Sequence, residues 1–223
     1  EYERIIQLFS GNDSLKWNAG NAWYRAGHSE KSLFILNGVK PIVPDHASLL
    51  LLCKMEQGQK INRDSLDQSL AFFSNTFRAD ACMLTQFSND NLRRKFSCAD
   101  SLGLSELRIL KNQVEHFRWK KPGKAAFLSA LVPGLGKVYT KDYKDASIAF
   151  LYVSLSAYQV YRGLEKKNGQ WAPYSIIFAG IGGIFYLGNI YGAYNSARRY
   201  NLNAAREFKS KANKKFAEYW LNR

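Results

Sequence analysis

Residues able to perform acid–base, nucleophilic or metal chemistry are few in this chain, and they are scattered. The three histidines are His28, His46 and His116, and none belongs to the His-Glu-x-x-His pattern that holds zinc. No serine or cysteine nucleophile signature lies near them. A lone histidine is more often structural than catalytic. We therefore predict a protein that is not an enzyme, with no catalytic, cofactor-binding or metal-binding residues and no cofactor.

The three cysteines, Cys53, Cys82 and Cys98, follow neither a Cys-x-x-Cys nor a zinc-binding spacing. We expect them to be buried or incidental thiols. One disulfide among them is the alternative in an oxidising compartment, and it would leave one cysteine over.

A Gly-Leu-Gly-Lys stretch at residues 134–137 resembles the end of a phosphate-binding loop only superficially. Such a loop needs another glycine where this chain has Leu131, and it needs a Ser or Thr after the lysine, which is also missing. Nucleotide binding is therefore not expected. The stretch raises a structural question instead, because Pro133, Gly134 and Gly136 interrupt an apolar run that would otherwise form a helix.

Charge divides the chain into two parts. Residues 1–117 carry 14 basic and 13 acidic side chains, whereas residues 118–223 carry 18 basic and 5 acidic ones. The first part has the balance of an ordinary neutral domain. The second part favours an anionic partner, which leaves nucleic acid, anionic lipid and an acidic protein to be weighed.

The apolar residues of the first part recur with the period of an α-helix, for example at Leu15, Ala19, Ala22 and Ala26. No long stretch alternates as a strand would. We predict an all-α domain with helices near residues 15–26, 29–39, 46–57, 64–77, 79–87, 90–101 and 104–117.

Residues 16–44 resemble a tetratricopeptide repeat, a pair of helices that stacks on similar pairs. The match rests on positions for close packing, an aromatic ring, the turn, a small side chain and the end of the unit, which are Gly20, Trp23, Gly27, Ser32 and Pro44. A second, weaker unit begins at Ala47 with Gly58 at its turn. The resemblance implies a concave surface that binds protein, and we expect Trp23 in the core. An unrelated pair of helices is the alternative.

The second part contains two long stretches without charge. Residues 146–161 include sixteen uncharged positions, and residues 171–197 include 27. A helix needs about 20 residues to cross the ~30 Å hydrocarbon core, so the longer stretch suffices. The shorter one crosses if Asp145 and Arg162 extend to the interface. We predict a membrane-embedded helical hairpin with two spans.

Small residues in the second span recur at a spacing of four, which lets helices approach closely in lipid. They are Ala179, Gly183, Gly188 and Gly192. We expect them to pack on the first span, through Ser147, Ser154 and Ala157, or on a second copy of the chain. Asn189 is expected to be buried between the spans and hydrogen-bonded there.

The interrupted stretch lies within residues 125–136, an uncharged run too short to cross a bilayer. We expect it to enter the membrane and turn, or to lie as a broken helix against the spans, with Pro133, Gly134 and Gly136 at the packing contact. Basic residues that flank the apolar stretches are expected to meet lipid headgroups. They are Lys120, Lys121, Lys124, Arg198 and Arg199.

Residues 121–201 resemble a small bacterial membrane domain of unknown function. The match rests on Pro-Gly-x-Gly-x-x-Tyr at 133–139, Gly-Asn-Ile-Tyr-Gly at 188–192 and Arg-Tyr-Asn at 199–201. The resemblance implies a membrane-anchored accessory protein of the bacterial envelope, in which helical repeats precede the membrane domain. It implies no known reaction.

The predicted domains are a tetratricopeptide-like helical domain at 1–117, the membrane hairpin at 118–197 and a basic amphipathic helix at 198–223. One face of that last helix is apolar, through Phe208, Ala212, Phe216 and Trp220. We expect this face on anionic lipid, with packing on the repeat domain or on a partner as the alternative. Nucleic acid is disfavoured, because no aromatic stacking platforms are interleaved with the basic residues.

The sequence therefore predicts a non-enzymatic, membrane-anchored scaffold or accessory subunit that recruits or positions proteins in a bacterial envelope or protein-export complex. Its partners would be other protein subunits and anionic lipid, with no nucleic acid and no small-molecule substrate. The alternative is a subunit of a membrane transporter or enzyme complex without a catalytic site of its own.

The predicted location is the bacterial inner membrane. Basic flanks favour the cytoplasm for both ends of the hairpin, whereas the family resemblance favours the periplasm. We take the periplasmic side for the repeat domain. Two readings of the first residue, Glu1, stay open: a signal peptide has been removed, or the chain begins further upstream.

Overall fold

The computed structural model describes residues 12–59, 61, 70–88, 92, 98, 103–166 and 173–221. Within these ranges the regular structure is helical and contains no strand, so the predicted all-α class is confirmed. The helices are α1 (Asp13–Arg25), α2 (Ser29–Leu36), α3 (Pro44–Glu56), α4 (Asn75–Ser88), α5 (Ser105–Glu115), α6 (Pro122–Leu131), α7 (Leu135–Tyr139), α8 (Tyr143–Lys166) and α9 (Pro173–Trp220).

The helices belong to two compact units. The first unit contains Glu1–Phe117 and Ala205–Arg223, and the second contains Arg118–Ala204. Helix α9, which is 48 residues long, therefore contributes residues to both units. The first division falls where the balance of charge changes along the chain.

Two glycines allow helices α1 and α2 to pack closely, and a side-chain cap stabilises the start of α1. Asn12 Oδ1 accepts two backbone N–H groups of the first turn of α1, at 3.0 and 3.3 Å. Gly27 follows α1 with a φ of +82°, which glycine adopts without steric cost. Gly20 lies against α2, where an added Cβ would come within 2.8 Å of Leu36 Cγ. Helix α3 begins at Pro44, a favourable first residue for a helix.

The buried tryptophan of α1 is Trp17, which is 2% exposed and stacks on His46 with ring centroids 4.2 Å apart. Trp23 was expected in the core, but it is only partly buried. Its ring lies 4.2 Å from the Lys31 ammonium and contacts the edge of His28. Trp23 occupies the last turn of α1, where a ring partly in water can pair with a cation.

Cys82 of α4 and Cys98 form a disulfide, so the expectation of three thiols is wrong and the single-bridge alternative holds. Cys53 is the cysteine left over, and it is buried. Its thiol donates to the hydroxyl of Ser32 at 3.2 Å, and Ser32 is fully buried between α2 and α3. Burial raises the pKa of Cys53 to about 11, which makes the thiol unreactive near neutral pH.

A buried carboxylate joins three elements of the first unit. Asp80 of α4 is 1% exposed, and its two oxygens accept the Leu104 N–H at 2.6 Å and the Trp220 indole N–H at 3.0 Å. Leu104 immediately precedes α5, and Trp220 is the last residue of α9. Burial raises the pKa of the Asp80 carboxyl, although both hydrogen bonds act in the opposite direction.

The apolar face of the C-terminal residues is buried in the first unit. Phe216 is fully buried and Trp220 is 8% exposed, and both rings contact Phe77. Phe208 packs edge to face on Phe117, with centroids 5.5 Å apart. We expected this face on anionic lipid, but it lies in the protein core, as the alternative had it. A helical core removes the same rings from water as a bilayer interface would.

Two predicted helices of the first unit fall partly outside the described residues, and residues 70–74, where one of them was expected, are not helical. The helix near 90–101 lies outside the described residues except for Leu92 and Cys98. The helix near 64–77 begins outside them as well, and α4 starts only at Asn75 and continues through the stretch predicted as a separate helix.

Replacing Asp80 with alanine should lower the free energy of unfolding of the first unit by about 2 to 4 kcal/mol, because two buried N–H groups lose their acceptor. Urea unfolding of the full chain in detergent, followed by tryptophan fluorescence, measures the change. Asp13→Ala is the matched control, because Asp13 is exposed and its ion pair with Lys16 contributes about 0.5 kcal/mol or less. Equal losses in the two variants would show that Asp80 has no linking role.

The raised pKa of Asp80 also predicts the direction of a pH dependence. A folded pKa above the ordinary value of 3.8 gives a contribution that is complete below about pH 4 and is lost as pH rises through the folded pKa. Asp80→Asn removes this titration. The stability of the wild-type protein relative to Asp80→Asn should therefore decrease as the pH rises above about 4. An increase with rising pH would contradict the assignment.

Candidate functional site

The Pro-Gly-x-Gly stretch is a turn between two helices of the second unit. Helix α6 ends at Leu131, Pro133 and Gly134 form the turn, and α7 begins at once. Gly134 has a φ of +88°, in the left-handed region that glycine tolerates. A side chain on Gly134 would also collide with the backbone carbonyl of Ala146 in α8. The interruption therefore makes a close contact between the turn and α8.

Gly136 makes the second close contact of this turn. A Cβ there would collide with the Ala125 carbonyl oxygen and lie 2.6 Å from Ser129 Oγ, both in α6. The Gly136 N–H donates to Ser129 Oγ at 3.1 Å, in a buried position. A backbone group freed by the break is thereby satisfied inside the protein.

Three of the four small residues expected at the packing face of α9 are exposed instead. They are Ala179, Gly183 and Gly188, and an added Cβ at either glycine would meet nothing within 4 Å. Gly182 makes the contact, because its Cβ would lie 2.8 Å from Cβ of Ser156. The expected partners on α8 are exposed as well: Ser147, Ser154 and Ala157. Small residues lie on more than one face of α9, so their spacing alone does not identify the buried face.

Helices α8 and α9 run antiparallel where they touch. The rings of Tyr152 and Phe185 stack with centroids 5.0 Å apart, and one turn further along α8, Ser156 meets Gly182. Residue numbers thus rise along one helix as they fall along the other.

The outward faces of these two helices are apolar. Large exposed side chains include Ile148, Leu151 and Leu155 on α8 and Ile177, Ile184 and Leu187 on α9. Among the described residues, α9 alone is long and apolar enough to cross a membrane, judged by length and composition, and only 11% of its apolar window is buried. The core helix of a water-soluble protein would hide most of such a surface.

Basic side chains gather around Tyr139, the tyrosine of the first motif. The Lys120 and Lys124 ammonium groups lie 4.4 and 5.6 Å from the ring centroid, and the Lys121 N–H donates to the hydroxyl at 3.4 Å. Asn201, from the Arg-Tyr-Asn motif, exchanges two hydrogen bonds with the backbone of Lys120, at 2.9 and 2.8 Å. Lys120 therefore contacts both the first motif, through Tyr139, and the Arg-Tyr-Asn motif.

Arg198 and Arg199 are exposed on α9, shortly before Asn201, and Lys121 and Lys124 are also exposed. Cations with apolar helices beside them are suited to the headgroup layer of a bilayer.

A cavity of about 420 Å³, here called the interhelical cavity, lies between α7, α8 and α9. Its polar lining residues are Lys137, Asp145 and Asn189, and its walls are apolar. The Lys137 ammonium donates to the Asp145 backbone carbonyl over a long 3.5 Å. The lysine stem passes Gly192, where an added Cβ would lie 3.3 Å from its Cε.

Asn189 is 4% exposed, so its burial agrees with the prediction. Its Nδ2 donates to the Ser129 carbonyl oxygen of α6 at 3.4 Å, however, and not to α8, the other predicted span. Its Oδ1 accepts no hydrogen bond within the part of the chain that the structure describes. A buried amide oxygen of this kind calls for a donor.

The first unit carries a groove of about 450 Å³, here called the basic groove, lined by Tyr24, Glu56, Arg206, Lys209 and Lys214. The Tyr24 hydroxyl donates to Glu56 Oε1 at 3.1 Å, and the Lys209 ammonium donates to a backbone carbonyl at the end of α3. Burial, and then the Glu56 charge, raise the pKa of Tyr24, so the phenol stays protonated. Three cations face one carboxylate, which favours an acidic ligand.

The histidines lie apart. His46 stacks on Trp17, His28 contacts Trp23, and the His116 ring bonds the Asn112 carbonyl at 2.8 Å. Among the described residues, no three His, Cys, Asp or Glu side chains are grouped as metal ligands would be.

No family model, curated protein or solved structure matches the chain. The two resemblances drawn from its motifs therefore stay predictions, and the geometry above is what a functional proposal can draw on.

Gly136→Ala should destabilise the second unit by about 1 to 3 kcal/mol, because the added methyl meets backbone that cannot move aside. Gly183→Ala is the matched control on an open face, where alanine favours the helix by up to about 1 kcal/mol. Melting temperatures of the two variants in mild detergent measure the difference. A loss at Gly183 as large as that at Gly136 would mean that another helix covers this face.

Proposed function

We propose that this protein is a non-enzymatic scaffold or accessory subunit of a bacterial envelope or protein-export complex. Helices α8 and α9 anchor it in the inner membrane, and the first unit presents a helical surface to another protein subunit. The proposal is carried by the apolar face of α9, which the described residues leave uncovered, in a chain whose residues 1–117, the larger part of the first unit, have a balanced charge. Burying that face in lipid removes a large cost in water.

The composition of the first unit favours an even number of membrane crossings. The first unit contains the residues that precede the second unit in the sequence and those that follow it, and Asp80 accepts a hydrogen bond from Trp220. The chain must therefore leave and re-enter the same compartment. With α9 as one crossing, α8 is the natural second, because 24 residues give a helix about 36 Å long, against a ~30 Å hydrocarbon core.

The lipid-facing chemistry of the second unit supports the same anchor. The charged residues of α8 lie near its ends, and residues 146–161 between them carry no charge. The basic and aromatic cluster around Tyr139 supplies the cations and amphipathic rings that settle in anionic headgroups. Anionic lipid is therefore the proposed membrane partner.

We place the first unit in the periplasm. The disulfide between Cys82 and Cys98 favours an oxidising compartment. The basic flanks of the spans favour the opposite orientation, but a covalent bond inside the domain weighs more than a statistical preference of loop charge.

The basic groove is the proposed contact for the partner protein, through an acidic segment. Arg206, Lys209 and Lys214 outnumber Glu56 there, so the charges are complementary to carboxylates.

Two variants with one free cysteine each test the crossings, in a Cys53→Ala background that keeps the Cys82–Cys98 disulfide. Glu30 is exposed on α2, and Asn168 follows α8 and precedes α9 along the chain. With a membrane-impermeant maleimide on intact spheroplasts, we expect Glu30→Cys to react at once and Asn168→Cys to react only after lysis. Labelling of both from the same side would refute two crossings. The reverse pattern would refute the periplasmic placement alone.

Charge reversal in the basic groove tests the scaffold role. Arg206→Glu with Lys214→Glu should reduce a co-purifying partner about tenfold, as loss of about 1.4 kcal/mol implies, measured by quantitative mass spectrometry from mild detergent. Lys211→Glu is the control, because Lys211 is exposed, pairs with Glu207 and does not line the groove. Equal recovery with all three proteins would exclude the groove as the contact.

A further inference from the structure

We propose that the interhelical cavity binds the headgroup of a single phospholipid of the ethanolamine type. Because this site rests on the proposed insertion of the second unit, it deepens that function with a defined ligand. The ligand must offer an anionic oxygen, a positive charge with N–H donors, and an acyl chain, and each requirement comes from different residues of the cavity.

The anionic oxygen is required by Lys137. This lysine is half-buried beside apolar walls, and its ammonium has only a 3.5 Å contact with a backbone carbonyl. No carboxylate forms an ion pair with it among the described residues. A partly desolvated ammonium gains most from a charged oxygen, and a phosphate diester supplies one.

The N–H donors of the ligand would satisfy the side-chain oxygen of Asn189. Its Oδ1 is buried and lacks a donor within the described part of the chain, while its Nδ2 is engaged by Ser129. Asp145 lines the same cavity, so the lining contains one negative charge besides the positive charge of Lys137. A ligand with a phosphate alone would meet Asp145 unfavourably and would leave Asn189 unsatisfied.

Three common headgroups differ in how they meet these demands. Choline has the positive charge but no N–H, and glycerol has hydroxyl donors but no positive charge. Ethanolamine has both, so its ammonium can donate to Asn189 and Asp145 while its phosphate accepts from Lys137. The balance of one lysine and one aspartate in the lining matches a zwitterion.

The acyl chain is accommodated by the walls of the cavity. Ile148, Tyr152, Ile184 and Phe185 line it and are also between 46% and 74% exposed. The cavity therefore opens onto the outward apolar face of α8 and α9, where a lipid chain would lie. Its volume of about 420 Å³ suits a headgroup and the first carbons of a chain.

Native mass spectrometry of the full chain in mild detergent tests the site. Delipidated protein is titrated with ethanolamine, choline and glycerol phospholipids that carry identical acyl chains. We expect one ethanolamine lipid to bind about tenfold more tightly than either of the others. Equal affinities, or a preference for glycerol or choline, would overturn the assignment.

Variants locate the binding. Lys137→Gln and Asp145→Asn should each weaken the ethanolamine lipid about tenfold and reduce its advantage over the other two lipids. Asn189→Leu should do the same while keeping the volume of the side chain. Lys144→Gln, an exposed lysine at the start of α8, is the control and should leave the affinity unchanged. Unchanged affinity in the cavity variants would overturn the site.

Binding of a water-soluble headgroup distinguishes a site for a lipid from a site for a free phosphodiester. Glycerophosphoethanolamine, which has the headgroup without chains, should bind at least tenfold more weakly than the lipid, and equal binding would overturn the role of the apolar walls. Alkaline extraction of the wild-type protein keeps the two proposals distinguishable. Release from the membrane refutes the anchor itself, whereas retention without any headgroup preference refutes only this site.

Discussion

The hydrogen bonds that Asp80 accepts hold together the parts of the first unit that are far apart in sequence. Its carboxylate is almost fully buried, and it is satisfied by a backbone N–H before α5 and by the indole of Trp220 at the end of α9. A carboxyl group is tolerated at that depth only when its oxygens are bonded. The chain leaves the first unit after Phe117 and re-enters it at Ala205. The second unit is therefore an insertion within the sequence of the first.

The packing of the second unit is consistent with the insertion in lipid proposed above. Its buried residues are small or polar, with Ala125, Ala193 and Ala197 fully buried and Tyr139 packed against them. Its large apolar side chains point outward on α8 and α9. In a bilayer, helices associate through close packing of small residues and through hydrogen bonds, because apolar side chains gain nothing by leaving lipid. The bond between Thr140 and Ser196, at 2.8 Å, is of this kind.

Residues of all three sequence motifs contribute to this packing. Gly134 allows α8 to approach the turn, Asn189 reaches the carbonyl of Ser129, and Asn201 clamps the backbone of Lys120. Each contact holds the broken segment of α6 and α7 against α8 or α9. The interhelical cavity lies at the same junction, between α7, α8 and α9. The motifs thus describe a packing arrangement. Among the described residues, they do not bring a nucleophile and a general base together.

The sequence alone determined what local chemistry dictates. Helical periodicity predicted the all-α class, the absence of charge predicted the apolar α9, and Pro133 with Gly134 predicted the break, because each depends on neighbours along the chain. The tertiary structure decided which surfaces meet. It buried Trp17 rather than Trp23, and it brought Gly182 rather than Gly183 against Ser156.

It also paired Cys82 with Cys98 and placed the apolar face of the last helix in the protein core instead of on lipid. The helical periodicity of an apolar face predicts only that the face will be buried against something apolar. Its packing partners are residues far away in sequence, such as Asp80 and Phe77 for Trp220, and only folding brings those into contact.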